Sequence, residues 1–349
     1  MTNTNHGMGA LLRRPWQAAW WLLLGWLVWH VLDWSVIQAV FSPDLAACQA
    51  LRHQGACWGV VQVKGMAWLF GRYPEQQLWR PALAMALWLV STAWLLRPLL
   101  QGRDARPWIG QVLALACWPA GMWLMGGNGL GLPVVESAQW GGLPLTLTLT
   151  ACTLLLSAPL AWGLALARQT GPRWLALPAT ALIEVARGGP LVMWLFGAAF
   201  VLPAILPAGW DWGPIARVLV VTTVFSAAYA AEILRGSLAT VLRDQSEAAS
   251  VLGATWWQTQ SRVVVPQVWR GALPALTGHT IGVLKDTALV TIVSLQDLTG
   301  AMSVSLNGDA DWRPFFLEAY LVIAALYALM CLGIAQLGAR LELRACRTG

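Results

Sequence analysis

Eight apolar runs, separated by shorter polar segments, divide this chain. Each is about 20 residues or longer, the length that a helix needs to cross the hydrocarbon of a bilayer. The runs cover residues 16–40, 80–98, 107–126, 141–167, 174–206, 213–239, 271–301 and 315–339. The pattern predicts an all-α polytopic membrane protein with about eight transmembrane helices.

Two of these runs carry helix breakers. The fifth contains Gly188, Gly189 and Pro190, and the seventh contains Pro274. Transmembrane helices tolerate such residues where neighbouring helices satisfy the freed backbone groups. We therefore expect a break or a kink at each place. A break at Gly188–Pro190 would offer helix-end amides to the carboxylate of a substrate.

The composition agrees with a location in the bilayer. Of the 349 residues, 58% are hydrophobic and 11% are charged, which is too little polar surface to cover a soluble globule of this size. The net charge of +6 has no clustered basic face behind it, so a nucleic-acid partner is not expected. Many of the 24 tryptophans lie near the ends of the runs, as interfacial anchors do.

One polar stretch interrupts the apolar chain between the sixth and seventh runs. It reads Glu247-Ala248-Ala249-Ser250-Val251-Leu252-Gly253 and continues to Val263-Val264-Val265-Pro266. Asp244 and Glu247 predict a capped short helix, which Gly253 ends in a left-handed turn. Thr255 and Gln258 predict a second cap, and Pro266 stands where the second helix should stop. We expect two short helices joined at a glycine.

This stretch closely resembles the cytoplasmic EAA loop of bacterial ABC-importer permeases, the surface that docks on the ATP-hydrolysing subunit. The shared pattern is EAA, three residues, Gly, nine residues and Val-x-Val-Pro. The resemblance assigns coupling to the ATPase to Glu247, Ala248, Ala249, Gly253, Val263 and Pro266.

Other segments resemble the polar amino-acid branch of the same permeases. Residues 142–149 look like the start of the family's opening helix, and residues 183–191 resemble its "IEvfRGtPLL" segment, with Gly189 where a threonine is common. Residues 228–236 resemble "AYiAEifRGg", and residues 284–289 resemble "lKDTSL". The resemblance covers nearly everything from residue 142 to about 340 and implies a five-helix permease core.

The chain is expected to divide near residue 140. Residues 1–140 would form a membrane extension with three helices and an extracytoplasmic segment at about 41–79. Residues 141–340 would form the permease domain, with the EAA loop at about 240–270, and residues 341–349 a cytoplasmic tail. The three additional helices resemble the longer permeases of the general L-amino-acid subgroup.

The sequence offers no ATPase of its own. A P-loop requires a glycine directly before its lysine, but Lys64 follows Val63 and Lys285 follows Leu284. The resemblance therefore implies no cofactor on this chain, with ATP and Mg bound by two partner ATPase subunits. It also implies a periplasmic amino-acid-binding protein and a second permease chain, a paralogue being favoured over an identical copy. Closure of the ATPases would switch the pathway from inward-facing to outward-facing.

Ionisable residues inside the matched segments are costly in a bilayer and therefore informative. The i, i+3 spacing places Glu184 with Arg187, and Glu232 with Arg235, on one helix face each, where each pair would neutralise itself. In the alternative interpretation, some of these groups line a pathway for a zwitterionic substrate. The candidates for that pathway are Glu184, Arg187, Gly189, Glu232, Lys285, Asp286 and Thr287.

The basic residues predict the orientation. With the EAA loop in the cytoplasm, fourteen of the 22 Lys and Arg residues fall on the cytoplasmic side and six on the other, with Arg187 and Lys285 set aside. This bias follows the positive-inside rule. We expect a multi-pass protein of the bacterial inner membrane with both termini in the cytoplasm.

Two cysteines, Cys48 and Cys57, fall in the extracytoplasmic segment, where a disulfide would persist. A disulfide and two free thiols fit the sequence equally well. No Cys or His pair has the spacing of a metal site, and no His, Cys or carboxylate group has catalytic spacing. We therefore expect neither a metal site nor catalytic residues.

The sequence thus predicts the membrane subunit of an ATP-driven amino-acid importer, forming the translocation pathway. The alternative is a secondary transporter or channel for small polar solutes that works alone, which leaves the EAA spacing unexplained. A membrane-embedded enzyme comes third, because no catalytic constellation is present.

Overall fold

The computed structural model describes residues 15–101, 108–129, 131–207, 212–241 and 243–347. The described α-helices, labelled α1 to α15 in chain order, are Pro15–Leu32, Leu45–Ala50, Gly59–Phe70, Trp79–Gln101, Trp108–Gly126, Gly142–Thr170, Arg173–Gly188, Leu191–Phe196, Leu202–Ile205, Pro214–Thr240, Arg243–Val251, Trp256–Thr259, Val265–Asp286, Leu298–Asn307 and Phe316–Arg347. Short 3-10 helices are Glu75–Gln77, Ser137–Gln139, Thr287–Val293 and Arg313–Phe315, and π-helical segments are Asp33–Ile37, Gly197–Val201 and Gln260–Val264. A single two-residue strand, β1, covers Gln296–Asp297 within the described residues.

Several of these helices are long and apolar enough to cross a bilayer. Among the described residues they are Trp16–Ile37, Glu75–Leu95, Gly142–Thr170, Pro214–Thr240 and Arg313–Ala345. The bent pair Arg173–Gly188 and Leu191–Ile205 makes a sixth if it is one broken span. The apolar part of α5, Val112–Gly126, is shorter than a span. The helical membrane class is therefore confirmed, whereas the eight crossings stay a prediction.

The chain forms two compact units. The small unit comprises Met1–Met66 with Leu306–Val322, and the large unit comprises Ala67–Ser305 with Ile323–Gly349. In the small unit a disulfide joins Cys48 to Cys57, and both cysteines are buried. The buried Glu318 carboxylate accepts the backbone N–H of Cys57 at 3.0 Å, so it fixes the disulfide segment to the start of α15.

Small side chains form the core of the large unit where α6, α7, α10 and α13 meet. Ala161 and Ala165 of α6 face Ala227 and Ala231 of α10, and all four are fully buried. Lipid is as apolar as the side chains of a membrane helix, so the hydrophobic effect does not drive such helices together. They associate by close packing, which small residues allow. The alanine-rich sequence of α10 therefore allows three other helices to approach it.

A buried arginine shapes the segment that precedes α6. Arg80 of α4 is fully buried and donates hydrogen bonds to the carbonyl oxygens of Leu124 at 2.7 Å, Met125 at 3.1 Å and Pro133 at 3.0 Å. Two of these carbonyls belong to the last turn of α5, where unsatisfied carbonyls and the helix dipole favour a cation. Arg80 thus caps α5 and fixes α4 beside it.

The start of α6 requires a glycine. Gly142 has a φ of +62°, and a Cβ there would lie 2.1 Å from the carbonyl oxygen of Leu69. Gly141 and Gly142 pair in parallel with Gln296 and Asp297. The hydroxyl of Thr146 then accepts the N–H of Leu298 at 3.0 Å. These contacts fasten the first turn of α6 to the segment that leads into α14.

Proline breaks the chain at one of the two predicted places. Between α7 and α8, at Gly188–Pro190, the helix axis turns by 102°. At Pro274, the other place where a break or a kink is predicted, α13 runs on without a break from Val265 to Asp286, and a kink there stays a prediction. A single proline removes one helix hydrogen bond, a loss that membrane helices tolerate. At Gly188–Pro190 two glycines of low helix propensity add to that loss.

Candidate functional site

A cavity of about 490 Å³ lies at the break between α7 and α8. Gly189 and Pro190 of the break form part of its wall, beside side chains from α6, α10 and α13. Its polar lining residues are Thr153, Thr222, Ser226, Tyr229, His279, Asp286 and Thr287. Leucine, valine and phenylalanine side chains make up most of the remainder. A mostly apolar cavity with a few polar groups is typical of a site for a small polar molecule.

Helical spacing brings the polar residues together. On α10, Thr222, Ser226 and Tyr229 recur at intervals of four and three residues and therefore share one face. On α13, His279 and Asp286 are seven residues apart, or about two turns. Each helix thus presents one polar stripe to the cavity.

Hydroxyl groups link the helices around the cavity. The Oγ of Ser226 lies 2.9 Å from Nε2 of His279 and 3.1 Å from the Oγ of Ser157. The hydroxyls of Thr153 and Thr222 lie 2.9 Å apart. These bonds connect α6, α10 and α13, so the polar side chains of the wall hold one another in place.

The structure places three of the seven predicted pathway residues in the cavity wall, namely Gly189, Asp286 and Thr287. Lys285 is exposed and lies outside the wall. Glu184, Arg187 and Glu232 also lie outside it. Sequence reasoning missed Tyr229 and His279, although their spacing from other polar residues of α10 and α13 carried the signal.

The charged residues outside the wall form one cluster at the ends of α6, α7 and α10. Glu232 of α10 is bonded to Arg235 one turn later, as the spacing predicted. Its other oxygen lies 3.1 Å from Nη1 of Arg168, whose Nη2 lies 2.9 Å from Glu184. Arg168 therefore joins the carboxylates of two helices.

The predicted pair of Glu184 with Arg187 is wrong. Glu184 bonds Arg168, whereas Arg187 lies 4.0 Å from Glu232. The two side chains share a helix face, but residues of the neighbouring helices offer each a partner across the helix interface. Single-helix spacing has no information about such partners.

Arg187 connects this cluster to the cavity. Its guanidinium carbon lies 5.4 Å from the ring centroid of Tyr229, within the range of a cation–π interaction. Tyr229 lines the cavity, so the charge of Arg187 lies behind an aromatic wall residue. The cluster contains three arginines and two glutamates, and its net charge is positive.

The EAA loop, here residues 243–266, begins with a short helix that is joined at a glycine to the start of a second helix, as predicted. α11 covers Arg243–Val251, and Gly253 follows with a φ of +80°, the left-handed turn expected of a glycine. Thr255 caps α12: its hydroxyl accepts the N–H of Gln258, whose side chain accepts the N–H of Thr255 in return. α11 begins at Arg243, so the expected cap Asp244 lies within its first turn.

Pro266 does not end the second helix, contrary to the prediction. The chain continues from α12 through the π-helical segment Gln260–Val264 into α13, where Pro266 occupies the first turn. The π turn changes the hydrogen-bonding register, and proline is tolerated in a first turn because its missing N–H is not needed there. The loop is therefore continuous with the helix that carries His279 and Asp286.

The EAA loop exposes an apolar surface. Val251 and Leu252 are 86% and 87% exposed, and Trp257 is 75% exposed. Of the motif residues, Glu247 and Ala248 are exposed, whereas Ala249 is buried. Val263 and Pro266 are half-buried. Sequence reasoning did not single out the exposed Val-Leu and Trp-Trp pairs on either side of Gly253, although large apolar residues in a polar loop are a signal for a partner.

An ion pair ties α3 to the segment after α14 within the small unit. Nζ of Lys64 lies 2.6 Å from Oδ2 of Asp309. The hydrogen bond from Lys64 lowers the pKa of the Asp309 carboxyl, since it stabilises the ionised form. The pair therefore stays intact at neutral pH.

Comparisons with known proteins place this arrangement in context. A family model described as "Binding-protein-dependent transport system inner membrane component" matches residues 157–345. The chain is 33% identical to the inner membrane amino-acid ABC transporter permease protein YhdY of Escherichia coli (strain K12), over 91% of this chain and 86% of that protein. It is 30% identical to the glutamate/glutamine/aspartate/asparagine transport system permease protein BztC of Rhodobacter capsulatus, over 91% of this chain and 87% of that protein.

A solved structure is also similar. It is the crystal structure of an amino acid ABC transporter with histidines, in which one chain is 31% identical to this one. The TM-score is 0.51, and the match covers 58% of this chain and 92% of that chain.

Proposed function

This chain belongs to the family of binding-protein-dependent transport system inner membrane components, and on that premise we propose that it is the permease subunit of an ATP-driven amino-acid importer. It is a transport subunit and not an enzyme. The amino-acid permeases that it resembles over most of its length support the substrate class. Family membership counts against a secondary transporter that works alone.

The exposed apolar surface of the EAA loop is the observation that carries the proposal. Leu252 and Trp257 lie on either side of the left-handed Gly253 and are largely exposed. A few residues near the centre of an interface, tryptophan prominent among them, contribute most of its binding energy. We assign this surface to the ATPase subunit. Movement of the ATPase subunit would displace the EAA loop. That displacement would pass through the π-helical segment into α13, and from there to His279 and Asp286 at the cavity.

The docking role can be tested by binding. We expect Leu252→Ser and Trp257→Ser each to weaken binding of the ATPase subunit to the detergent-solubilised permease by about tenfold or more, since burying such a side chain contributes about 1.5–3 kcal/mol. Leu343→Ser is the matched control, because Leu343 is 69% exposed on α15, on the same side of the predicted topology. Unchanged binding by both loop variants would contradict the assignment.

The cavity at the break is the proposed substrate pathway. Asp286 would accept the ammonium group of an amino acid, while Ser226, Thr287 and Tyr229 would offer neutral hydrogen bonds. Gly189 leaves room at the break because it has no side chain. Arg187 and Glu232 lie behind the wall and would set its electrostatic potential, whereas Glu184 and Lys285 are exposed and stay weaker candidates.

A neighbouring pair of residues tests this pathway. We expect Asp286→Asn to raise the KM for amino-acid uptake by about tenfold or more, because a hydrogen bond to a charged group contributes about 1.5–3 kcal/mol. Lys285→Gln removes a charge one residue earlier, outside the cavity, and should change KM by less than about twofold. Equal effects of both substitutions would show that Asp286 has no specific role.

The remaining parts of the proposal follow from the topology. The chain would cross the bacterial inner membrane eight times with both termini in the cytoplasm, its core of five helices preceded by three. It would pair with a second permease chain, a paralogue rather than an identical copy, and with two ATPase subunits that bind ATP and Mg. A periplasmic amino-acid-binding protein would deliver the substrate.

A further inference from the structure

A second cavity, of about 610 Å³, lies in the large unit between α6, α10, α13 and α15. Its lining is almost entirely apolar and includes Leu154, Ala158, Trp269, Leu276, Ile334 and Leu341. The cavity at the break between α7 and α8, called the translocation cavity from here on, can serve as the proposed substrate pathway without this second cavity. A cavity with so few polar partners holds water poorly, so hydrocarbon is the better occupant.

The second cavity is long enough to hold an acyl chain from one leaflet of a bilayer. Its lining on α13 extends from Val265 to Thr280, about 22 Å at 1.5 Å per residue. One leaflet contributes about 15 Å of hydrocarbon. Ala158 and Trp269 are exposed as well as lining the cavity, so its interior is accessible from the surface of the unit. A lipid chain entering beside Val265 would reach past the middle of the membrane.

Two arginines are sequence neighbours of lining residues, one near the start of α13 and one near the end of α15. Arg270 follows the lining residue Trp269, and Arg340 precedes the lining residue Leu341. Both arginines are exposed. Glu342 follows Leu341, so the sequence neighbours of these two lining residues carry two positive charges and one negative charge. An apolar slot between membrane helices with a cationic rim has the chemistry that recognises an anionic phospholipid.

We propose that the second cavity binds one acyl chain of an anionic phospholipid from the cytoplasmic leaflet, with Arg270 and Arg340 at the phosphate. His279 lines this cavity and also the translocation cavity. The acyl chain therefore packs against one side of His279. The Nε2 of His279 lies 2.9 Å from the Oγ of Ser226, which lines the translocation cavity. Lipid occupancy supports the wall of the translocation cavity.

Native mass spectrometry of the complete complex in detergent, titrated with phosphatidylglycerol or phosphatidylethanolamine, tests the lipid site. We expect the wild type to retain one phosphatidylglycerol per copy of this chain in preference to phosphatidylethanolamine. Ala158→Phe should lose it, because the new ring fills the cavity. Ala335→Phe is the matched control, since Ala335 is exposed next to the lining residue Ile334 but lies outside the cavity.

The headgroup contacts are tested without changing the packing. Arg270→Gln with Arg340→Gln should weaken phosphatidylglycerol retention by about thirtyfold, or about fivefold for each arginine, whereas Arg173→Gln at the exposed start of α7 should leave it unchanged. Equal retention of the two lipids, or unchanged retention in Ala158→Phe, would overturn the proposal. Loss of the second permease chain from Ala158→Phe, with no lipid retained by the wild type, would assign the cavity to that partner instead.

Discussion

Gly253 joins the two short helices of the EAA loop at a φ of +80°, and a Cβ there would meet nothing within 4 Å. Its role is therefore set by backbone conformation and not by space. Gly253→Val should disfavour the loop by about 1–2 kcal/mol, because L-residues with a Cβ resist the left-handed region. We expect loss of amino-acid-stimulated ATP hydrolysis in the assembled complex, with membrane insertion unchanged.

Gly253→Asn is the matched control for that substitution. Asparagine visits the left-handed region more readily than other residues with a side chain, so most of the stimulated activity should remain. If valine and asparagine had equal effects, the left-handed turn would not be what the loop requires.

At the residue scale, the sequence predicts features that depend on local chemistry. The cap at Thr255 and the left-handed Gly253 follow from residue type and short-range spacing. His279 was missed because its spacing from Asp286 indicates a shared helix face but not which cavity that face lines. Its side chain is hydrogen-bonded to Ser226 of α10, 53 positions away in the sequence. This contact lies in the wall of the cavity.

At the scale of helices, Glu232 of α10 is the centre of the charge cluster. Arg168, Arg187 and Arg235 all point towards it, and its side chain is only 21% exposed. Glu232→Gln would leave the partly buried guanidinium groups of Arg187 and Arg235 without their carboxylate, while Arg168 would keep Glu184. We expect a loss of about 1–3 kcal/mol in the free energy of unfolding, measured in detergent.

Glu184→Gln provides the comparison, because Glu184 is 56% exposed and bonds Arg168. An exposed ion pair contributes about 0–1 kcal/mol, so this substitution should lower stability much less. Equal losses would mean that burial does not decide the strength of the cluster.

The apolar pattern predicts the break in the fifth run but not the end of the helix in the seventh run. Gly188–Pro190 concentrates three helix breakers, and the break appears there. The seventh run was expected to be helical as far as residue 301, but it changes to a 3-10 helix at Thr287 and turns at Ser294, which has a φ of +64°. A hydropathy pattern does not reveal why the α-helix ends there, because the cause is a set of contacts with distant residues.

Asp297 supplies those contacts. It is fully buried, and its carboxylate accepts hydrogen bonds from the N–H groups of Thr299 and Gly300, and from the hydroxyls of Thr291 and Tyr327. A buried carboxylate needs such donors, so the chain bends to provide them. Tyr327 belongs to α15, and no local pattern around residue 297 reveals that it will be a donor.

For the whole molecule, the sequence predicts the helical membrane class from composition and the family from the resemblance of its motifs, and both are confirmed. The coupling role of the EAA loop stays a prediction. The number of crossings remains a prediction, since the apolar part of α5 is shorter than a span and α13 is not among the described helices that are long and apolar enough to cross a bilayer. The assignment of the cavity wall required the structure, because residues between positions 149 and 290, from several helices, form it.

The central claim is that energy from ATP reaches the cavity through this chain from a separate ATPase. The most direct test is amino-acid uptake into proteoliposomes that contain the permease chains, with the binding protein outside and ATP inside, with or without the ATPase subunits. Uptake should require both ATP and the ATPase subunits. Sustained uptake against a gradient by the permease chains alone, without ATP, would contradict the claim.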